Sequence, residues 1–231
     1  MEIKRLDWDS DFFGLRIGRV DIATAEECVA LACQQEALEG NYDLVYVFAS
    51  HGLDVSLPNV KLVDEKVVYM LPLPYYSEPN RNVRLWSQAM GVTDELLHLA
   101  LVSGTYSRFK LDERFPSGSY ERLYSRWIEN SIKHILATEV FCYMEDRLPK
   151  GLVTLNDKNG VATIGLVSIH EDFQHRGIGT IMMHHVSHFA QGKGCKKLMV
   201  ATQLKNTPAC WFYEKNGFSV ESITDIWHWW L

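Results

Sequence analysis

No stretch of this 231-residue chain approaches the roughly 18 consecutive apolar residues that a membrane-crossing helix needs. The acidic, aromatic N-terminus also lacks the basic and apolar regions of a signal peptide, so a cytoplasmic protein is expected. Cysteine is scarce: Cys28, Cys33, Cys142, Cys195 and Cys210 leave an odd thiol and show no paired zinc-ligand spacing, which argues against a disulfide framework. Positive charge is in deficit, with 23 Lys plus Arg against 29 Asp plus Glu and a net charge of −6, a poor basis for binding nucleic acid or an anionic membrane. The three glycines and distant acidic residue of a dinucleotide fingerprint are missing, as is the Gly-Lys-Ser/Thr of a P-loop. There is no internal repeat and no low-complexity tract. His184, His185 and His188 do not read as a metal set, because His185 falls on an apolar helix stripe and the other two point elsewhere, and no metal is expected.

What is present is a chain 47% hydrophobic, enough to bury a substantial core divided between one small and one full domain. The apolar run Val161 to Ile169 reads as a strand. Ile178, Ile181, Met182, His185, Val186 and Phe189 then recur at helical spacing. Between them lies Gln174-His175-Arg176-Gly177-Ile178-Gly179-Thr180. Two glycines there let the backbone come close to a ligand, and the first amides of a helix have no internal partner, so the turn suits a pyrophosphate. After a second strand, Lys197 to Gln203, comes Asn206-Thr207-Pro208-Ala209-Cys210-Trp211-Phe212-Tyr213, read as a helix capped by Thr207, begun by Pro208 and ended by Gly217. Asn206 and Tyr213 are two turns apart and share one side of it.

These two segments, in this order, resemble the GCN5-related N-acetyltransferase superfamily, which has the same Gln-x-x-Gly-x-Gly turn and Asn-x-x-Ala-x-x-x-Tyr-x-x-x-Gly-Phe spacing. The resemblance implies an α/β fold: a mixed, mostly antiparallel twisted sheet with a splayed central pair of parallel strands, flanked by helices, plus a smaller N-terminal α/β part. It implies acetyl-CoA as co-substrate, held by Val167, Ile169, Gln174, His175, Arg176, Gly177, Ile178, Gly179, Thr180 and Asn206, with Tyr213 beside the thioester sulfur. A backbone N–H of the strand ending near Ile169 would meet the oxyanion. His170, Glu171 and Asp172 lie near the turn, yet none is assigned as base, since ordered water serves that purpose in many members. Lys193, Lys196 and Lys197 are read as a solvated cluster.

The prolines and polar residues of 73–80 read as a linker, giving domains 1–75 and 81–231. The first is expected to hold a helix over 25–38, a strand over 43–49 and an extended run over 61–73. The second opens with a strand over 83–87 and helices over 94–103 and 120–133, followed by strands over 138–144, 151–155 and 161–169.

Trp8-Asp9-Ser10-Asp11-Phe12-Phe13-Gly14, Tyr106-Ser107-Arg108-Phe109 and Tyr124-Ser125-Arg126-Trp127, with Ala201-Thr202-Gln203, resemble the TDP-fucosamine acetyltransferase branch, which acetylates a dTDP-linked 4-amino-4,6-dideoxyhexose. Arg108, Phe109, Tyr124 and Trp127 are therefore expected to bind a nucleotide sugar, Arg108 through its planar donor fork and the aromatics by stacking. Trp8, Phe12 and Phe13 are read as packing residues and the Trp-rich tail 226–230 as a core-facing last strand. A peptide, amino acid or polyamine acceptor and a non-catalytic acyl-CoA-binding module stay open, as does a homodimer. Cys210 lies close to Tyr213, but no histidine partner supports an acyl-cysteine route, so direct transfer is expected.

Overall fold

The computed structural model describes residues 2–75 and 77–231; Tyr76, inside the expected linker, lies outside them. The first segment supplies β1 (Lys4–Arg5), α1 (Asp7–Phe13), β2 (Ile17–Ile22), α2 (Ala25–Ala32), α3 (Gln35–Glu39), β3 (Leu44–Ser50) and β4 (Val60–Pro72). Then follow β5 (Val83–Leu85), α4 (Asp94–Ser103), α5 (Arg108–Leu111), α6 (Ser119–Ile132), β6 (Glu139–Glu145), β7 (Leu148–Lys158) and β8 (Val161–Ile169). The chain ends with α7 (Ile178–Gly192), β9 (Lys197–Gln203), α8 (Thr207–Lys215) and β10 (Ser219–Trp230).

Local chemistry sets several of these boundaries. Thr24 and Glu27 form a reciprocal capping box that starts α2, and Thr93 accepts the Leu96 amide to start α4. The helix expected over 25–38 is two helices, because Gln34 N–H turns back to Leu31 and the chain breaks there before α3. Asn206, not Thr207, caps α8: its side chain accepts the Ala209 amide, which moves Thr207 and Pro208 into the first turn. Gly217, with φ 85°, follows the helix as expected.

All the strands join one sheet in the order β1-β2-β3-β10-β4-β9-β8-β7-β6-β5. Only β2–β3 and β8–β9 pair in parallel among the described residues; the other neighbours are antiparallel. The C-terminal strand β10 inserts between β3 and β4, and β4 also pairs with β9. The sheet thus runs without a break across the change of composition at 73–80.

Successive residues of β6 divide the core. Val140 and Cys142 join the cluster under α4 and α6, whereas Phe141 and Tyr143 join the one under α7, so helices cover both faces. From α7, Ile178, Met182, Met183, Val186 and Ala190 are buried, and a fully buried side chain of the Ile, Met or Val kind contributes about 2 kcal/mol. Along β3 nearly every residue is buried, since Leu44 and Tyr46 face one cluster and Val45, Val47 and Ala49 another. An uninterrupted apolar run is what a strand covered on both faces requires.

One departure from regular pairing positions the site. β8 and β9 are matched only from Val161 opposite Lys197 to Ile164 opposite Val200; beyond that point the two parallel strands separate. On its other side β8 carries an irregularity against β7, where Val153 faces Val167 but Leu155 faces Ile164. The Leu166 amide leaves the ladder there and donates to the buried Thr154 Oγ1 at 2.8 Å.

Candidate active site

The parted strands open onto a cavity of about 550 Å³. Its floor takes Gly165, Leu166 and Val167 from β8, Ala201, Thr202 and Gln203 from β9, and Asn206, Ala209 and Tyr213 from α8. The opposing wall is built by Arg108 and Phe109 of α5, Tyr124 and Trp127 of α6, and Trp8 and Asp9 of α1. Four expected substrate contacts therefore meet Tyr213, Asn206 and Val167 in one space.

Tyr213 is 2% exposed, wedged between the rings of Tyr69 and Phe218 at 5.6 Å each. Burial pushes its phenol well above the ordinary value, with a smaller contribution from the Cys210 thiol, so the ring keeps its proton at neutral pH. Asn206 Nδ2 donates weakly to Thr202 Oγ1 at 3.4 Å while Oδ1 caps α8, which ties the end of β9 to the start of that helix. The Cys210 thiol points to the backbone carbonyls of Gln203 and Leu204 and to no histidine.

The expected cofactor turn follows the end of β8 and begins α7, and its residues are not among those that line the cavity. His175 and Gly177 both have positive φ, 60° and 78°, and Gly177 caps α7. The first regular helix bond runs from Ile181 N–H to Gly177 C=O, so the Ile178, Gly179 and Thr180 amides precede it with no intrahelical acceptor. A Cβ on Gly177 would meet nothing within 4 Å, which leaves the turn open to a ligand. That combination fits a pyrophosphate. Gly179 differs: a Cβ there would lie 2.9 Å from the Phe212 ring, so its missing side chain admits α8, not a ligand. The Ile178 side chain is buried in the core, as its place on the apolar stripe of the helix leads one to expect, which leaves its amide as the group it can offer a ligand. Gln174 Nε2 donates to Ile169 C=O, and Arg176 donates to Asp172 C=O while covering Phe173, so both side chains brace the loop.

His170, Glu171 and Asp172 do not line the cavity. Two groups among the described residues bring metal-ligand atoms within 4.8 Å, namely His98, His170 and Glu171, and His51, Glu65 and Asp225; neither borders the cavity.

Trp8, Arg19, Asp64 and Lys66 line the cavity without having been among the expected contacts. Trp8, expected to pack, is 50% exposed and lines the cavity, while Phe13 beside it is buried. Arg19 covers the Phe48 ring at 3.7 Å, and Arg108 lies 4.6 Å from the Phe109 ring and 4.8 Å from that of Tyr46. Arg108 Nε and Asp64 Oδ1 are buried in this cavity without a hydrogen-bond partner. Asp64 and Lys66 belong to a stretch, Asp64-Glu65-Lys66, whose three charges in a row give no sign of burial.

A two-layered helical cover, a sheet parted between two parallel strands and an anion-ready turn following one of them define a coenzyme A-dependent acyltransferase. Residues 103–218 match the Acetyltransferase (GNAT) family, half of the chain, and the protein belongs to that family and is an N-acetyltransferase. It is 28% identical over 224 residues, 95% of this chain and 94% of the other, to the dTDP-fucosamine acetyltransferase of Escherichia coli O6:H1. Among solved structures, a functionally unknown conserved protein from Staphylococcus epidermidis superposes with a TM-score of 0.61 at 14% identity, covering 92% of this chain and 82% of that one. The PaiA N-acetyltransferase of Thermoplasma acidophilum in complex with coenzyme A does so at 0.50 with 19% identity, covering 64% and 98%.

Proposed function

We propose that this enzyme moves the acetyl group of acetyl-CoA directly to the amine of an amino-dideoxy sugar carried on a thymidine diphosphate. The observation that carries the reading is a single cavity in which Tyr213 faces a wall of Trp8, Phe109 and Trp127 interleaved with Arg19, Lys66 and Arg108. Flat rings suit a base and a sugar face, and guanidinium forks suit a diphosphate. The unpartnered Arg108 Nε adds a buried donor in need of an anion. The relative from Escherichia coli is named for dTDP-fucosamine, which is the same chemistry.

In this reading the amides of Gly177, Ile178, Gly179 and Thr180, with those of Gln174, His175 and Arg176, receive the pyrophosphate. Val167 and Ile169 hold the pantetheine strand-like along β8, and the Val167 amide meets the developing oxyanion. Asn206 sets the start of α8 and so aims Tyr213, whose retained proton goes to the departing sulfur. Positioning does most of the work, because the two reactants enter the gap from different sides.

A coupled assay of coenzyme A release against a panel of acceptors tests the proposal: dTDP-4-amino-4,6-dideoxygalactose, glucosamine, glycine and spermidine. Turnover of the nucleotide sugar at least tenfold above the rest in kcat/KM is expected. Activity confined to glycine or spermidine would overturn the substrate assignment.

A further inference from the structure

Acetyl transfer needs an acceptor nitrogen with a free lone pair, and an aliphatic amine is protonated near neutral pH. Tyr213, holding its own proton, cannot take that one. Among the acids bordering the cavity, Asp64 is 8% exposed and yet leaves Oδ1 without a partner. The sheet register aims it: Asp64 of β4 faces Ile226 of β10, which faces Phe48 of β3, and all three line the same wall. Lys66, two residues on, lines it as well, as the period of a strand demands. Asp9 is less buried and lies beside Arg108. A buried oxygen left unpaired costs free energy, and its retention in a cavity is accounted for by a ligand that supplies the missing donor. An ammonium is such a donor.

We infer that Asp64 is the general base that takes the ammonium proton of the acceptor. The inference rests on the cavity being the acceptor site, whichever amine enters. One N–H bond of the ammonium breaks as an O–H bond forms on Asp64. The freed lone pair then forms the C–N bond at the thioester carbonyl, whose π pair moves to oxygen. That pair re-forms the C=O as the C–S bond breaks, and the sulfur keeps the bonding pair and takes the Tyr213 proton. The nitrogen, one proton richer than an amide, returns a proton to the Tyr213 phenolate. Asp64 gives its proton to solvent, so ammonium and thioester yield amide, thiol and one proton.

The surroundings suit the role. Burial raises the Asp64 carboxyl, while Arg108, the Gln203 side chain and Lys66 pull it back and Glu65 raises it further, leaving it at about 6. Arg19 from β2 and Asp9 from α1 share the cavity, and the phenols of Tyr124 and Tyr213 border it. The ionised form grows as pH rises through about 6, so the base is lost on the acid side.

The test is the profile of kcat/KM between about pH 5 and 9, on the first member of the acceptor panel that the native enzyme acetylates. The native enzyme should lose activity below about pH 6. Asp64→Asn should lower kcat by roughly 10²- to 10⁴-fold and abolish that acid limb, with acetyl-CoA affinity unchanged. Asp64→Glu should restore part of the rate and the limb, and Asp9→Asn should keep the limb. An Asp64→Asn enzyme that retains the limb, or a native profile flat through pH 6 whatever the variant's stability, would overturn the inference. Failure of the nucleotide sugar alongside an intact Asp64 effect on spermidine would overturn the substrate assignment alone.

Discussion

Tyr213 borders the cavity while almost wholly withdrawn from water, and the two facts together define its chemistry. Its proton is retained at neutral pH because a buried phenolate is costly. Tyr213→Phe removes only the hydroxyl and leaves the ring contacts with Tyr69 and Phe218 in place. We expect kcat to fall about 10²-fold or more with little change in acetyl-CoA affinity, measured by steady-state kinetics beside calorimetric titration. Tyr213, Asn206, Arg108, Phe109, Tyr124 and Trp127, which line the cavity, could be singled out beforehand because each sits in a segment marked by its spacing or resemblance. Asp64 and Arg19 could not. Arg19 alternates with apolar neighbours as a solvent-facing residue would, Asp64 sits in a run of three charges, and only the register of distant strands turns them to the cavity.

At the scale of the element, the strand-turn-helix unit from β8 to α7 was readable nearly in full, because an apolar run, two glycines and a helical stripe are all local signals. The work of the second glycine was not readable, since Phe212 comes from α8. Gly179→Ala should force that ring to move and cost about 1 to 3 kcal/mol of stability. Thermal melting of Gly179→Ala, Phe212→Leu and the double variant checks this: the double variant should be more stable than Gly179→Ala alone, a coupling that a ligand-only role for Gly179 would not produce. The parting of β8 from β9 was expected from resemblance, yet the irregularity on the opposite edge of β8, where the Leu166 amide turns to the Thr154 hydroxyl, involves a residue on a third strand.

At the scale of the whole molecule, the insertion of β10 between β3 and β4 is what no local pattern announces. The strands were legible one at a time, and β8, β9 and α4 have the expected ends; their order across the sheet depends on pairings between residues as distant as Trp227 and Val47. A chain limited to residues 81–231 would lose both neighbours of β10 and the outer partner of β9. We expect that fragment to lack cooperative melting and a dispersed amide NMR spectrum, and co-expression with residues 1–80 to restore both. A cooperatively folded fragment would show that the second segment holds its core without the first.

The margins of the sheet have a consequence of their own. Its terminal strands are its two shortest, Lys4–Arg5 and Val83–Leu85, so few free main-chain groups are offered to a passing extended chain. A broad ribbon that would otherwise invite fibrous growth is closed off at both ends, and crowding in a concentrated solution finds little template on which to add another strand.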